Sequence, residues 1–365
     1  MNAKITFLKT VCVLILSVLF LSSCQKSTES ANDSNDNGNG DNTVTPKIID
    51  IKTNGDKAVY VTNTGYVYSV IIQSSPYGST LVKSKVRGLK DIVKVGCGPF
   101  YTITAFGKWV ALDKDGKIYI WDVNPLTGVA DSAVVYTKMS SFTAKIVDIA
   151  IGGDNITFAL ALDVNHKVWA WGYNGFYQLG NTTSYIQETP AIVNGLPNDI
   201  TAISTGARHS VALSSGGNVY HWGNIDTQLE EIYSTPTLVA GASPASAISA
   251  GFNYNLAKKS DGTVFAWGHL TDGIVPGITN PSVICAGSEL YFNPMFIKSD
   301  GTLWKTSFSM ATGNPTTAES AADLAAYRFS LISVFNRAFY VTQDGLVLAQ
   351  LSTGSTPLVL NNPLQ

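Results

Sequence analysis

The chain has 365 residues, 45% hydrophobic and 10% aromatic, with only 14% charged. That much apolar material can build a core, which excludes wholesale disorder. A formal net charge of −2 excludes the basic field that nucleic acid binding requires, and four cysteines are too few for a disulfide scaffold of this size.

In chain order, Lys4 and Lys9 precede an apolar run from Val11 to Leu21. The run is too short to cross a bilayer as a helix, which needs roughly 20 residues. It ends in Leu21-Ser22-Ser23-Cys24, which resembles the lipobox of bacterial lipoproteins. That resemblance implies a signal peptide over residues 1–23, cleavage before Cys24, lipid on the Cys24 thiol, and a place in the bacterial cell envelope. Gln25, rather than an aspartate, points within that resemblance to the outer membrane. Residues 24–46 then form a tether of Asn, Asp, Ser and Gly with Val44 its single sizeable apolar side chain. Such a segment buries too little surface to repay its ordering entropy. Its acids, Glu29, Asp33, Asp36 and Asp41, leave the body from Lys47 onward close to neutral.

From residue 47 one unit repeats. A two-residue turn recurs as Thr64-Gly65, Asp115-Gly116, Asn165-His166, Gly216-Gly217, Asp261-Gly262, Asp300-Gly301 and Asp344-Gly345. Asp-Gly between apolar runs is a strong hairpin signal, because type I′ turns need positive φ at both central residues. An apolar strand precedes each turn. The strand after it is often aromatic, as in Ile118 to Trp121, Val168 to Trp171, Val219 to Trp222 and Val264 to Trp267. A further strand is visible in Thr189-Pro190-Ala191-Ile192-Val193 and Thr235-Pro236-Thr237-Leu238-Val239, read here as the opening strand of the unit that follows. Four strands per unit and seven units predict an all-β, seven-bladed β-propeller over residues 47–365. Thr356-Pro357-Leu358-Val359-Leu360 reads as an opening strand with nothing after it, and Lys47 to Ile51 as a unit lacking one. The expectation is therefore a ring closed by pairing of the N- and C-terminal strands.

Two stretches carry a family resemblance. Gly206-Ala207-Arg208-His209-Ser210-Val211-Ala212-Leu213 resembles the Gly-x-x-His-Ser-x-Ala-Leu core of the regulator of chromosome condensation repeat. Val168-Trp169-Ala170-Trp171-Gly172-Tyr173-Asn174-Gly175-Phe176-Tyr177-Gln178-Leu179-Gly180 is similar to that family's aromatic-Ala-Trp-Gly-x-Asn-x-x-Gly-Gln-Leu-Gly. The resemblance implies the same seven-bladed ring and, from other family members, action by binding. Ala207 and Phe252 stand where the family's ultraviolet-B photoreceptor carries Trp, so light sensing is not implied.

The chemistry-bearing residues point to structure. His166, His209, His221 and His269 match no zinc spacing, and Asp115, Asp261, Asp300 and Asp344 share one turn slot. Cys97 and Cys285 fall in non-adjacent units and read as buried thiols. No metal, cofactor or catalytic residue is expected. The hairpin connections of units two and six are enlarged, and both insertions carry aromatics. Rigid aromatics at loop tips make efficient interface anchors. They give a candidate binding face of Phe100, Tyr101, Tyr254, Tyr291 and Phe292, rimmed by Asn155, Arg208 and Arg337. The same rings could instead extend their hairpins and bury against neighbours. The expected function is a monomeric, non-catalytic binding module for a protein or peptide, with no nucleic acid partner. Alternatives are a glycan-acting enzyme using the central cavity and a structural subunit of an envelope complex.

Overall fold

The computed structural model describes residues 45–54, 56–75, 78–98, 109–121, 137–138, 142–154, 156–181, 184–225, 232–268, 271–287, 294–307, 315–335, 337–350 and 356–360. They form seven four-stranded antiparallel sheets and no α-helix, so the molecule is a seven-bladed β-propeller. No helix among these residues is long and apolar enough to cross a membrane.

Blade 4 shows how the sequence makes a blade. Its strands are Ile200–Thr205, His209–Ser214, Val219–Asn224 and Ile232–Leu238, hydrogen-bonded in that order. The second strand is buried along its whole length, because both of its faces meet another blade. That is why the second strands read as continuous apolar runs, whereas the outer strands of blades 3 and 4 are largely exposed. Each first strand touches the first strand of the next blade, and Ile48–Asn54 touches Phe329–Phe335. The seven first strands therefore ring the central axis.

Adjacent blades bury one apolar cluster per junction, seven in all. Between blades 3 and 4 the cluster gathers Phe158, Leu160, Leu179, Ile203 and Trp222. A Trp ring buries on the order of 150–250 Å², worth several kcal/mol at about 25 cal/mol/Å². No blade could bury such a ring alone.

The seventh junction corrects the expected closure. Leu358–Leu360 pairs with Val347–Gln350 of its own blade, and Ile48–Asn54 pairs with Lys57–Thr62. Among the described residues no strand joins the chain ends. Instead the faces of blades 7 and 1 pack together through Phe339, Val341 and Leu360 against Ile51, Tyr60 and Val70. Thr53 Oγ1 and Ser333 Oγ add a hydrogen bond of 3.1 Å across the seam. A shared blade is unnecessary because blade 1 owns a fourth strand, Gly78–Lys85, which lacks the Thr-Pro mark of its counterparts. The Thr-Pro strands themselves belong to the unit before them. Ile186–Ile192 pairs with Val168–Tyr173, so each closes its own blade rather than opening the next.

The two ends of the ring are built differently. On one, the turn face, six of the predicted turns place Gly at φ between +80° and +91°. A Cβ on Gly65 would lie 2.8 Å from Asp91 Cα, so the left-handed backbone and the neighbouring blade both demand glycine there. The turn carbonyls also stitch blades together. Ala245 N donates to Gly217 O (2.8 Å), Asn280 N to Gly262 O (2.7 Å) and Phe329 N to Gly301 O (2.8 Å). In blade 3 His166 fills the slot at φ +62°, and its Nδ1 lies 2.8 Å from Ile200 O of blade 4.

Candidate functional site: the loop face of blades 3 and 4

The opposite end, the loop face, carries the connections between first and second strands and between third and fourth strands. In blade 3 the latter runs from Tyr173 to Tyr185 and is held by a dense polar frame. Asn174 Oδ1 accepts from Leu179 N (3.0 Å), and its Nδ2 donates to Asn181 O (3.0 Å). Gln178 is fully buried, and its carbonyl accepts from Ser210 Oγ (2.8 Å) and Trp222 Nε1 (2.9 Å) of blade 4. Leu179 plugs the junction core beneath. The Asn, Gln-Leu and Gly of this segment are thus a fastening between blades.

What the fastening presents outward is aromatic. Tyr177 sits in the left-handed region at φ +62°, which costs an L-residue roughly 1–2 kcal/mol. The residue is 38% exposed. Tyr185 is 66% exposed and stands edge-on to Tyr173, ring centroids 5.0 Å apart, with their hydroxyls 2.8 Å apart. Burial and the Tyr185 hydroxyl push the Tyr173 phenol up from its ordinary value. Phe176 packs edge-on to Tyr173 at 5.9 Å and carries the Arg208 guanidinium 4.3 Å from its ring centroid. Arg208 Nε donates to Asp154 Oδ2 at 2.7 Å, leaving the side chain 25% exposed. Tyr173, Phe176 and Tyr185 with one cation and one carboxylate from blades 3 and 4 therefore make a single ordered corner, and the exposed Tyr177 lies in the same loop.

The rim beneath is stitched by backbone. Gly153 N donates to Gly206 O (3.1 Å), Ala207 N to Phe252 O (3.2 Å) and Phe252 N to Gly287 O (2.9 Å). A Cβ on Gly206 would meet Gly251 O at 2.5 Å, which explains the glycine that opens this loop. His209 is a structural residue below it. Its Nε2 lies 2.7 Å from Asn255 Oδ1 of blade 5, and burial lowers its pKa to about 4. Burial likewise lowers His221 to about 4, and Trp267 Nε1 donates to its Nδ1 at 3.3 Å. Among the described residues no group of three or more His, Cys, Asp or Glu could hold a metal ion. The turn aspartates serve their own turns: Asp261 Oδ1 and Asp300 Oδ1 accept from Thr263 N and Thr302 N, both at 2.9 Å.

Of the residues read from the sequence as a binding face, Arg208 stands at this corner. Tyr254 does not. It is 4% exposed, packs in the cluster between blades 5 and 6, and its hydroxyl accepts from Gly287 N at 2.6 Å. Its position, one residue after a loop, is the inward-facing start of a second strand. Arg337 opens the second strand of blade 7, with its side chain outside the described residues. Phe100, Tyr101, Asn155, Tyr291, Phe292 and the lipidation candidate Cys24 also lie outside the described residues. Sequence reasoning passed over Tyr173, Phe176, Tyr177 and Tyr185. The available signal was Tyr177, which occupies the Gly of the family's Asn-x-x-Gly-Gln-Leu-Gly.

Fold and rim together define a closed, seven-bladed propeller with one variable face. Residues 165–213 match the family model described as Regulator of chromosome condensation (RCC1) repeat. The chain is a seven-bladed propeller that carries a match to this repeat. It is 33% identical over 175 residues to the RCC1 domain-containing protein RUG3, mitochondrial, of Arabidopsis thaliana, covering 44% of this chain and 37% of that protein. It is 27% identical over 232 residues to the protein pim1 of Schizosaccharomyces pombe, covering 53% and 41%. A match to the human E3 ubiquitin-protein ligase HERC2, 30% over 164 residues, covers 42% of this chain and 3% of that protein. The matches therefore span less than half the length of these curated relatives. In fold, the chain resembles Prp20p of Saccharomyces cerevisiae, with a TM-score of 0.58 at 17% identity, over 79% of this chain and 80% of that one. Prp20p is known for binding Gsp1p and histones, and it has also been seen with Kap60 bound.

Proposed function

We propose that this chain is a non-catalytic binding module of the bacterial cell envelope, anchored by lipid on Cys24 and presenting its loop face to a protein partner. The carrying observation is Tyr177. A residue strained into the left-handed region, where the repeat motif has glycine, keeps an exposed aromatic side chain next in the chain to Phe176, the ring that carries Arg208. Strain of this kind persists only where the surrounding structure enforces it, and it clusters at binding and active sites. Arg and Tyr are the side chains that most often anchor interfaces.

The polarity of the molecule suits that role. Thr45 O accepts from Asn63 Nδ2 (3.1 Å) and Lys47 N donates to Asn63 Oδ1 (2.8 Å), so the described chain begins on the turn face. An anchor attached there leaves the loop face free. The test is a photo-crosslinking pair in native cells, with p-benzoylphenylalanine at Tyr185 on the loop face or at Asp261 on the turn face. The expected result is a specific protein adduct from position 185 and none from 261. Equal labelling, or labelling from 261 alone, removes the proposal.

A further inference from the structure

Arg208 is oriented on three sides. Its Nε is committed to Asp154, its plane lies over Phe176, and Ala207 beside it is tied to blade 5 by the backbone. Among the described residues its two terminal nitrogens make no hydrogen bond, and these nitrogens can only donate. The charge, however, is already balanced. A carboxylate arriving at those nitrogens would be attracted by the guanidinium and repelled by Asp154 from a few ångströms away. Because Coulomb energy falls only as 1/r, the second effect offsets much of the first. A neutral carbonyl oxygen accepts the same hydrogen bonds without that opposition. Tyr185 joins this cluster through Tyr173 and Phe176, and it and Tyr177 of the same loop are exposed.

We infer that the corner formed by Tyr177, Tyr185 and Arg208 docks an extended, uncharged peptide segment of its partner. A main-chain carbonyl of the segment accepts from Arg208, and its apolar side chains lie on the tyrosine rings. An extended strand leaves main-chain carbonyls free and sends alternate side chains to one side, as this pairing requires. The inference rests on the loop face being the binding face and adds what that face selects.

The test is selection of random heptapeptides on phage against the immobilised full-length chain. Recovered peptides should lack Asp and Glu at their shared positions. Arg208→Gln and Arg208→Lys should each weaken them at least tenfold, and Tyr177→Gly severalfold, with melting curves verifying that each variant is folded. Placing one Glu at the central apolar position should weaken binding about tenfold, and Asp154→Asn should recover most of that loss. Recovery of acid-rich peptides, or indifference to both Arg208 variants, overturns the inference while leaving a Tyr185 crosslink, and the proposal it supports, standing. Failure of selection together with absence of that crosslink overturns both.

Discussion

The turn face and the loop face descend from the same repeat and have diverged in opposite senses. On the turn face, six glycines from six blades share one backbone conformation within about ten degrees of φ, and the carbonyls of Gly65, Gly217, Gly262 and Gly301 accept from the next blade. On the loop face, Gly152, Gly206 and Gly251 stay glycine because the neighbouring backbone leaves no room for a Cβ. The segments beyond them vary. Blade 3 places Tyr177 where the motif has Gly, and blade 4 places Arg208 in its short hairpin. A repeat keeps what touches its neighbour and changes what touches solvent.

That contrast can be broken most directly at a junction. Trp222→Ala removes the largest ring between blades 3 and 4 and the hydrogen bond from its Nε1 to Gln178 O. A loss of about 3–5 kcal/mol is expected by urea titration, and a loss under 1 kcal/mol would show that the blades do not depend on each other. Tyr185→Ala, on the exposed corner, should cost under about 0.5 kcal/mol in the same titration.

Acid should act on the junctions too. His209 and His221 are held neutral in the fold, with pKa about 4 against an ordinary value of 6.5. Below pH 6.5 the unfolded chain takes up protons that the folded chain refuses, so their contribution to stability is full above that pH. It falls as pH drops towards 4, by up to roughly 1.4 kcal/mol per pH unit for each histidine. Stability measured from pH 7.5 to 4.5 should therefore decline, and His221→Phe should flatten the slope by about half. An unchanged slope would contradict the burial of His221.

Two smaller effects sharpen the comparison. His166→Ala keeps the left-handed strain at the turn but loses the link to Ile200 O, and should destabilise by about 1 kcal/mol. His166→Gly loses the same link and relieves the strain, and should come out close to neutral. Tyr177→Gly on the loop face should raise stability by up to about 1 kcal/mol while weakening partner binding. A destabilised Tyr177→Gly would mean that the ring packs against the fold.

Much of this was legible in the residues. The Asp-Gly and Gly-Gly turns, the aromatic strands and their sevenfold recurrence are local signals, since a turn ending in a left-handed residue and a doubly buried strand each impose their own composition; only that second turn residue is left-handed, so the turns are not the expected type I′. Closure was misread because the Thr-Pro strands look alike wherever they sit, and strand order does not say which sheet a strand joins. Gly78–Lys85, the strand that completes blade 1, carries no such mark. Tyr254 was misplaced because the side of a strand that a ring takes depends on the register next to it: Tyr254 opposes Gly268 and turns towards blade 6.

The sequence by itself determined the repeat, the number of blades and the positions of the turns, because hairpin signals and apolar periodicity are properties of short segments. Only the tertiary structure decided how the ring closes and that Phe176, Tyr185, Asp154 and Arg208 share one corner. Those four come from two blades, and Asp154 and Arg208 lie 54 residues apart along the chain. What joins them is the packing of one sheet's face on the next, set by the side chains between blades and not by any local rule.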